Sequence, residues 1–266
     1  MNNKTHNSIS IEAGTSRSLI IDCSQYDGLI NELYIGKNAE AVLVFLNNND
    51  SDNSDSNNNT LNSNTSSDNT IGKKQNETII TQSAGSKVKS LVFSIGSGNT
   101  CNHIKINLSE ENSSHEIYGL TLGTGEKHTE YNIDMIHQAP ACNSKQMFKS
   151  ILSENSTGVF NGRILVSPGA QNTIAYQQSR SLLLSNDASM RTIPQLEIYA
   201  DNVKCSHGAS TGELNSEEIF YLRSRGIDEI QAKQMLVAAF ANEIIDKAED
   251  PKIKDLVSSA VEKLLS

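Results

Sequence analysis

Residues 103–108 read His103-Ile-Lys-Ile-Asn-Leu108, residues 130–135 read Glu130-Tyr-Asn-Ile-Asp-Met135, and residues 195–200 read Gln195-Leu-Glu-Ile-Tyr-Ala200. Apolar and polar side chains alternate with period two, the pattern of a strand with one buried face. Working outward, Ala41 to Leu46 and Leu91 to Ile95 are continuous apolar runs bounded by Gly, Asn or Ser. Such runs are expected of strands buried on both faces. About a dozen segments of these two kinds lie between Ile9 and Val203, joined by turns such as Gly96-Ser-Gly98 and Gly123-Thr-Gly125. No helical period interrupts them. The reading is mainly β, and a solenoid, a sandwich or a barrel each fits it.

The pattern changes after Gly212. Ser216 is placed to cap a helix running to Arg225, with Glu217 and Glu218 in its first turn and Gly226 to end it. Asp228 opens a second helix with Gln231 as its capping-box partner. A third starts at Asp250 with Pro251 in the first helical position, where its missing N–H costs nothing. Its stripe of Ile253, Leu256, Val257, Ala260, Val261, Leu264 and Leu265 is a face for neighbouring helices or, less ordinarily, for a partner. The division predicted is a β core over 1–212 and a small helical domain over 213–266. Within the core, 22 of the 23 residues from Asn47 to Asn69 are Asn, Ser, Asp or Thr. That composition has almost nothing to bury and predicts a disordered insertion.

The chain has 266 residues, with 31 acidic against 22 basic and a formal net charge of -9. Proteins that bind nucleic acid phosphates usually carry the opposite sign, so nucleic acid drops out as a partner. The longest apolar run, Met235 to Ala241, is seven residues, where a membrane span needs about 20. The first twenty residues hold no apolar signal region. The four cysteines, Cys23, Cys101, Cys142 and Cys205, are far apart and form no C-x-x-C. Reduced thiols and a cytoplasmic location are the expectation.

Nucleotide chemistry is absent from this chain's motifs. Gly96-Ser-Gly98 leads into Asn-Thr-Cys-Asn-His, and Gly72-Lys-Lys lacks both the preceding glycine and the Ser or Thr of a phosphate loop. No Gly-x-Ser-x-Gly elbow or His-Glu-x-x-His helix is present. A pair of carboxylates gathered by a β-solenoid, as in polysaccharide-cleaving enzymes, stays open as an alternative. Two Cys-x-His pairs stand out, Cys101-Asn-His103 and Cys205-Ser-His207. Residues i and i+2 of a strand share a face about 6–7 Å apart, so each pair can offer a thiolate and an imidazole to one metal centre. Two ligands do not complete a site, and a buried cysteine beside an ordinary strand histidine is the plainer reading. Spacing does not separate the pairs. His115, His128 and His137 have no partner pattern and read as structural or surface residues.

The second pair sits in a longer stretch. Val159-Phe-Asn-Gly-Arg-Ile-Leu-Val166, Pro168-Gly-Ala-Gln171, Leu182-Leu-Leu-Ser185, Pro194-Gln-Leu-Glu-Ile-Tyr-Ala-Asp-Asn-Val-Lys-Cys-Ser-His-Gly-Ala-Ser210 and Ile219-Phe-Tyr-Leu-Arg-Ser-Arg-Gly-Ile227 together resemble the SufD family of the SUF iron-sulfur cluster assembly system. The resemblance is close from about Lys145 to Ala241; before residue 140 only β-rich texture is shared. The Lys-Cys-Ser-His-Gly-Ala run looks like SufD rather than its paralogue SufB, which tends to carry Glu in place of the Cys and after the His. Asn202 stands where the family more often has Asp, Ser210 where Thr is common, and strands begin almost at once where the family usually has a helical N-terminal region.

The resemblance implies a right-handed parallel β-helix followed by C-terminal helices, and a non-catalytic scaffold subunit. It implies a SufB-like partner on the β-helix and a SufC-like ATPase on the helices, most plausibly around Ile230, Leu236 and Phe240. It also implies a nascent iron-sulfur cluster at the SufB interface, with His207 facing a partner cysteine and Cys205 either a second ligand or a support. No nucleotide would be bound by this chain.

Overall fold

The computed structural model describes residues 6–23, 29–49, 74–96 and 98–265. The strands are β1 (His6–Ile11), β2 (Ser16–Asp22), β3 (Ile30–Ile35), β4 (Glu40–Asn49), β5 (Lys74–Gln82), β6 (Lys87–Gly96) and β7 (Thr100–Leu108). They continue as β8 (Ser114–Gly123), β9 (His128–His137), β10 (Asn143–Leu152), β11 (Thr157–Val166), β12 (Ile174–Leu183), β13 (Ser189–Ile198) and β14 (Lys204–Gly212). Odd strands form one seven-stranded sheet in the order β1-β3-β5-β7-β9-β11-β13; even strands form the other, β14-β12-β10-β8-β6-β4-β2. Every pairing is parallel and in unbroken register, Asn143↔Ser114 and Asn143↔Ile174 for example. Each coil gives one strand to each sheet, so the chain is a parallel β-solenoid. That choice among three β architectures was not available from periodicity.

The coils stack through their turns as well as their strands. The residue with positive φ between an odd strand and the next even one is Gly14, Asn38, Gly85, Asn112, Ala141 or Asn172. Each donates its N–H to the corresponding turn one coil on: Gly14 to Lys37, Asn38 to Ala84, Gly85 to Glu111, Asn112 to Pro140, Ala141 to Gln171 and Asn172 to Asn202, at 2.7–3.3 Å. Gly and Asn dominate because the left-handed conformation costs them least.

The interior between the sheets holds Leu33, Leu43, Phe45, Ile106, Val92, Ile133 and Ile164, with Tyr131, Phe148 and Phe160 in tilted ring contact at 5.5 and 4.7 Å. The apolar run at Leu91 is buried on both faces, as its composition predicts. Val92 points inward, while Leu91, Phe93 and Ile95 point outward under the helices. Asn47, Asn48 and Asn49 correct the reading of the polar tract as an insertion from its first residue. They extend β4 opposite Ser94, Ile95 and Gly96. Asn47 is buried because its amide has partners, donating to Asn102 Oδ1 at 3.2 Å and accepting from Asn76 Nδ2 at 3.3 Å. Residues 50–69 of the tract lie outside the described residues.

The helices are α1 (Ser216–Ser224), α2 (Glu229–Ile245) and α3 (Pro251–Leu264). Asn215, one residue before the expected Ser216, caps α1 by accepting from Glu217 N; Asp228 and Asp250 cap α2 and α3. The α3 stripe meets the second sheet as well as α2. Ile253, Val257 and Val261 share one core with Val237, Ala241 and Ile244 of α2 and with Phe93, Tyr118, Leu120 and Ile151 of the strands. Lys149 of β10 fastens α2 from below. Its Nζ, almost fully buried, donates to Phe240 O at 2.8 Å, lies 4.2 Å from the Phe240 ring centroid and pairs with Glu243. Among the described residues no helix is long and apolar enough to cross a membrane.

Candidate functional site

The solenoid ends in an open coil. Among the described residues β13 pairs only with β11 and β14 only with β12, so the last coil offers two outer strand edges. Among the described residues no strand pairs with the outer edge of β13 or β14, and β14 is exposed at all of its residues except Cys205.

Register fixes which way the β14 side chains point. Ala175↔Cys205, Gln177↔His207 and Ser179↔Ala209 are paired, and Ala175, Gln177 and Ser179 are buried while Ile174 and Tyr176 are exposed. Cys205 and His207 therefore share the inward face. Cys205 is half-buried against the interior core. Burial pushes its thiol up from the ordinary value, partly offset by the Ala175 backbone N–H. Such a thiol stays protonated near neutral pH until a metal displaces the proton. His207 is exposed. The two side chains are a soft sulfur and an imidazole on one face at the mouth of the coil, suited to iron. Among the described residues no group of three His, Cys, Asp or Glu could hold a metal ion, so any site here needs donors from elsewhere.

The first pair is disposed otherwise. β7 buries Thr100, Asn102 and Ile104 and turns Cys101 and His103 to the outer face of its sheet. There His103 Nε2 lies 2.9 Å from Asp134 Oδ2, and Arg163 Nε donates to Asp134 Oδ1 at 2.7 Å. Burial alone would raise the Asp134 carboxyl, but the hydrogen bonds from Arg163 and His103 outweigh it and hold it below its ordinary value. Glu197 reaches the same guanidinium at 3.6 Å. Asp134 and Glu197 on this face thus share the Arg163 guanidinium, with His103 beside Asp134. Of the remaining histidines, His115 is fully buried between Gln82 Oε1 (2.6 Å) and Ser90 Oγ (3.0 Å), and His137 bonds Ser144 Oγ at 2.9 Å. Burial lowers their pKa values to about 3 and about 4. Both are structural.

The three helix residues fare differently. Ile230 is exposed, Leu236 is half-buried, and Phe240 is turned onto Lys149 and the shared core. Phe220 and Tyr221 of α1 and Met235 of α2 are exposed apolar side chains the sequence reading did not single out. No residue of α1 is buried, which its composition alone does not reveal.

Residues 1–240 match the family described as SUF system FeS cluster assembly, SufBD core domain. The chain belongs to the SufBD family. It is 38% identical over 169 residues to the iron-sulfur cluster assembly protein SufD of Escherichia coli K12, covering 64% of this chain and 40% of that one. An iron-sulfur cluster assembly SufBD family protein of Synechocystis is 32% identical over 222 residues, 84% of this chain and 45% of that one. A SufBD family protein of Mycobacterium leprae is 33% identical over 159 residues, 57% of this chain and 41% of that one. The chain thus spans less than half the length of these relatives. The match also reaches the first 140 residues, where the sequence motifs alone carry no specific resemblance. Its relatives are thus iron-sulfur cluster assembly proteins of the SufBD family, SufD among them, and the family match speaks against the carbohydrate-active alternative.

Proposed function

We propose that this chain is a non-catalytic scaffold subunit whose open terminal coil receives a SufB-like partner and whose helices receive a SufC-like ATPase. The observation that carries the reading is the incomplete donor set: Cys205 and His207 face inward on an edge strand paired on one side, and among the described residues no third His, Cys, Asp or Glu completes a metal-holding group with them. Edge strands attract a second chain through their free backbone groups. A partner seated on β13 and β14 brings the missing ligands to a nascent cluster, which is cargo rather than a resident group. A site divided between two chains opens when they part, which releases cargo that a closed four-ligand site would retain. Cys205, still a thiol when empty, loses its proton as iron binds. For the ATPase, the exposed Phe220, Tyr221, Ile230 and Met235 are the apolar surface available on α1 and α2.

The test is made in the co-expressed complex with SufB-like and SufC-like chains. His207→Ala is expected to leave the complex assembled but without accumulated iron and sulfide, and His103→Ala to accumulate them normally. Equal iron and sulfide in the two variants refutes the site. In the same preparations, Ile230→Asp with Phe220→Asp is expected to lose the ATPase while keeping the SufB-like chain; an undiminished ATPase refutes the docking surface.

A further inference from the structure

The column of inward residues that ends at His207 runs Gln146↔Gln177↔His207 across β10, β12 and β14. Gln177 is almost fully buried, and its Nε2 donates to Gln146 Oε1 at 3.2 Å. Its Oε1 is buried with no hydrogen-bond partner. A buried amide oxygen without a partner forfeits a hydrogen bond it would make in water, and Gln146 Nε2 beside it is likewise without one, so the outer end of this column is short of partners. Neighbouring strands lie about 4.8 Å apart, and side chains in register on one face touch. The residue next in register is His207, a ring that carries an N–H donor.

The opposite sheet is cut to hold this amide in place. Gly162 of β11 faces the interior between Phe160 and Ile164, and a Cβ there would lie 1.9 Å from Gln177 Nε2. The glycine is a notch in which the end of the Gln177 side chain rests. The sequence motif around Gly162 thereby gains a physical reason that its strand pattern does not supply.

From the orphaned oxygen, its register beside His207 and the notch that fixes it, we propose that Gln177 is the positioning residue for His207. When a partner covers the open edge, the imidazole, already on the inward face, packs against this column and donates one ring N–H to Gln177 Oε1. The other ring nitrogen is left unprotonated, with its lone pair directed at iron. A second group that fixes the tautomer and orientation of a metal-binding histidine is the usual support for such a ligand. The inference rests on the reading that His207 serves the cluster, and the experiment separates the two.

The complex with the SufB-like and SufC-like chains is prepared with Gln177→Leu, Gln177→Glu, Gly162→Ala and His207→Ala. Iron and sulfide are measured, and the ring nitrogens of His207 are observed by 15N NMR in the cluster-free complex. Gln177→Leu is expected to lower retained iron about 10- to 100-fold, the effect usual for losing such a support. Gln177→Glu keeps an acceptor oxygen and restores retention, and Gly162→Ala, which pushes the amide aside, lowers it. The unsubstituted complex is expected to show a single fixed His207 tautomer. If His207→Ala abolishes retention but Gln177→Leu does not, the positioning role is overturned and the site reading stands. If His207→Ala retains iron, the site reading fails first. Should Gln177→Leu fail to fold, the tautomer decides, and the mixture of a free imidazole overturns the proposal.

Discussion

Lys149→Met tests how the helices are seated on the solenoid. Lys149 is 3% exposed and Glu243 42% exposed on their side chains, so the pair is buried at one end only. Methionine keeps the length and apolar stem but removes the charge. The loss comprises a charged hydrogen bond to Phe240 O, about 1.5–3 kcal/mol, and an ammonium–ring contact with Phe240, about 1 kcal/mol. Against this, the desolvation of a buried ammonium is relieved, and Glu243 turns back into water. The balance is a net cost of about 1–2 kcal/mol, or roughly 2–8 °C in Tm for a chain of this size. Lys149→Ala, which also opens a cavity under α2, is expected to cost about 2 kcal/mol more. Lys149→Met with Glu243→Leu is expected to be about as stable as the single variant, since Glu243, 42% exposed, is free to turn into water once its lysine is gone and the Phe240 contacts are lost in both. Denaturant unfolding gives the free energies, and amide exchange locates them, with protection lost in α2 before β9 and β11. The Glu243 carboxyl is held below its ordinary value chiefly by the Lys149 hydrogen bond. Its contribution is therefore present above pH 4.5 and disappears as pH falls through the depressed value. A Lys149→Met protein as stable as the parent, or a double variant that regains the parent's stability, would refute this account of the seat.

Gly119→Ala places a Cβ 2.2 Å from the Phe148 ring at the centre of the aromatic contact, and is expected to destabilise by about 1–3 kcal/mol in the same unfolding assay. His115 and His137 are neutral in the fold, with pKa values lowered by burial to about 3 and about 4 from 6.5. The unfolded chain binds their protons first, so stability is full above pH 6.5 and declines as pH falls towards 4. His137→Gln is expected to flatten that decline, by an amount on the order of 3 kcal/mol between the two limits. An unchanged pH slope in that variant contradicts the assignment.

Alternation made the strands at Thr100, His128 and Ser189 readable, and the run at Leu91 announced burial on both faces. What covers the outer face was not readable, because the α3 stripe is equally suited to a helix or a sheet; its partner is set by tertiary packing. Asn47 was misread for a related reason. Composition counts it as polar loop, whereas the Asn76 and Asn102 amides beside it make burial affordable. Both Cys-x-His pairs have one spacing, yet Cys101 and His103 face outward and Cys205 and His207 inward. Facing depends on register accumulated through every turn, a quantity no local window contains. The Gln177 oxygen was beyond sequence reasoning altogether, since a missing partner is visible only once the neighbours are placed.

The helices and His207 belong to the same sheet. α2 rests on β8 and β10, and β14 lies beyond β10 with only β12 between. Two strand spacings make that distance about 10 Å. The parallel ladder is hydrogen-bonded along nearly its whole length, so it has no joint at which to fold. Any displacement of α2 would therefore reach β14 only across β12, as a shear of the sheet, and the stiffness of that single strand would set how much of it arrives.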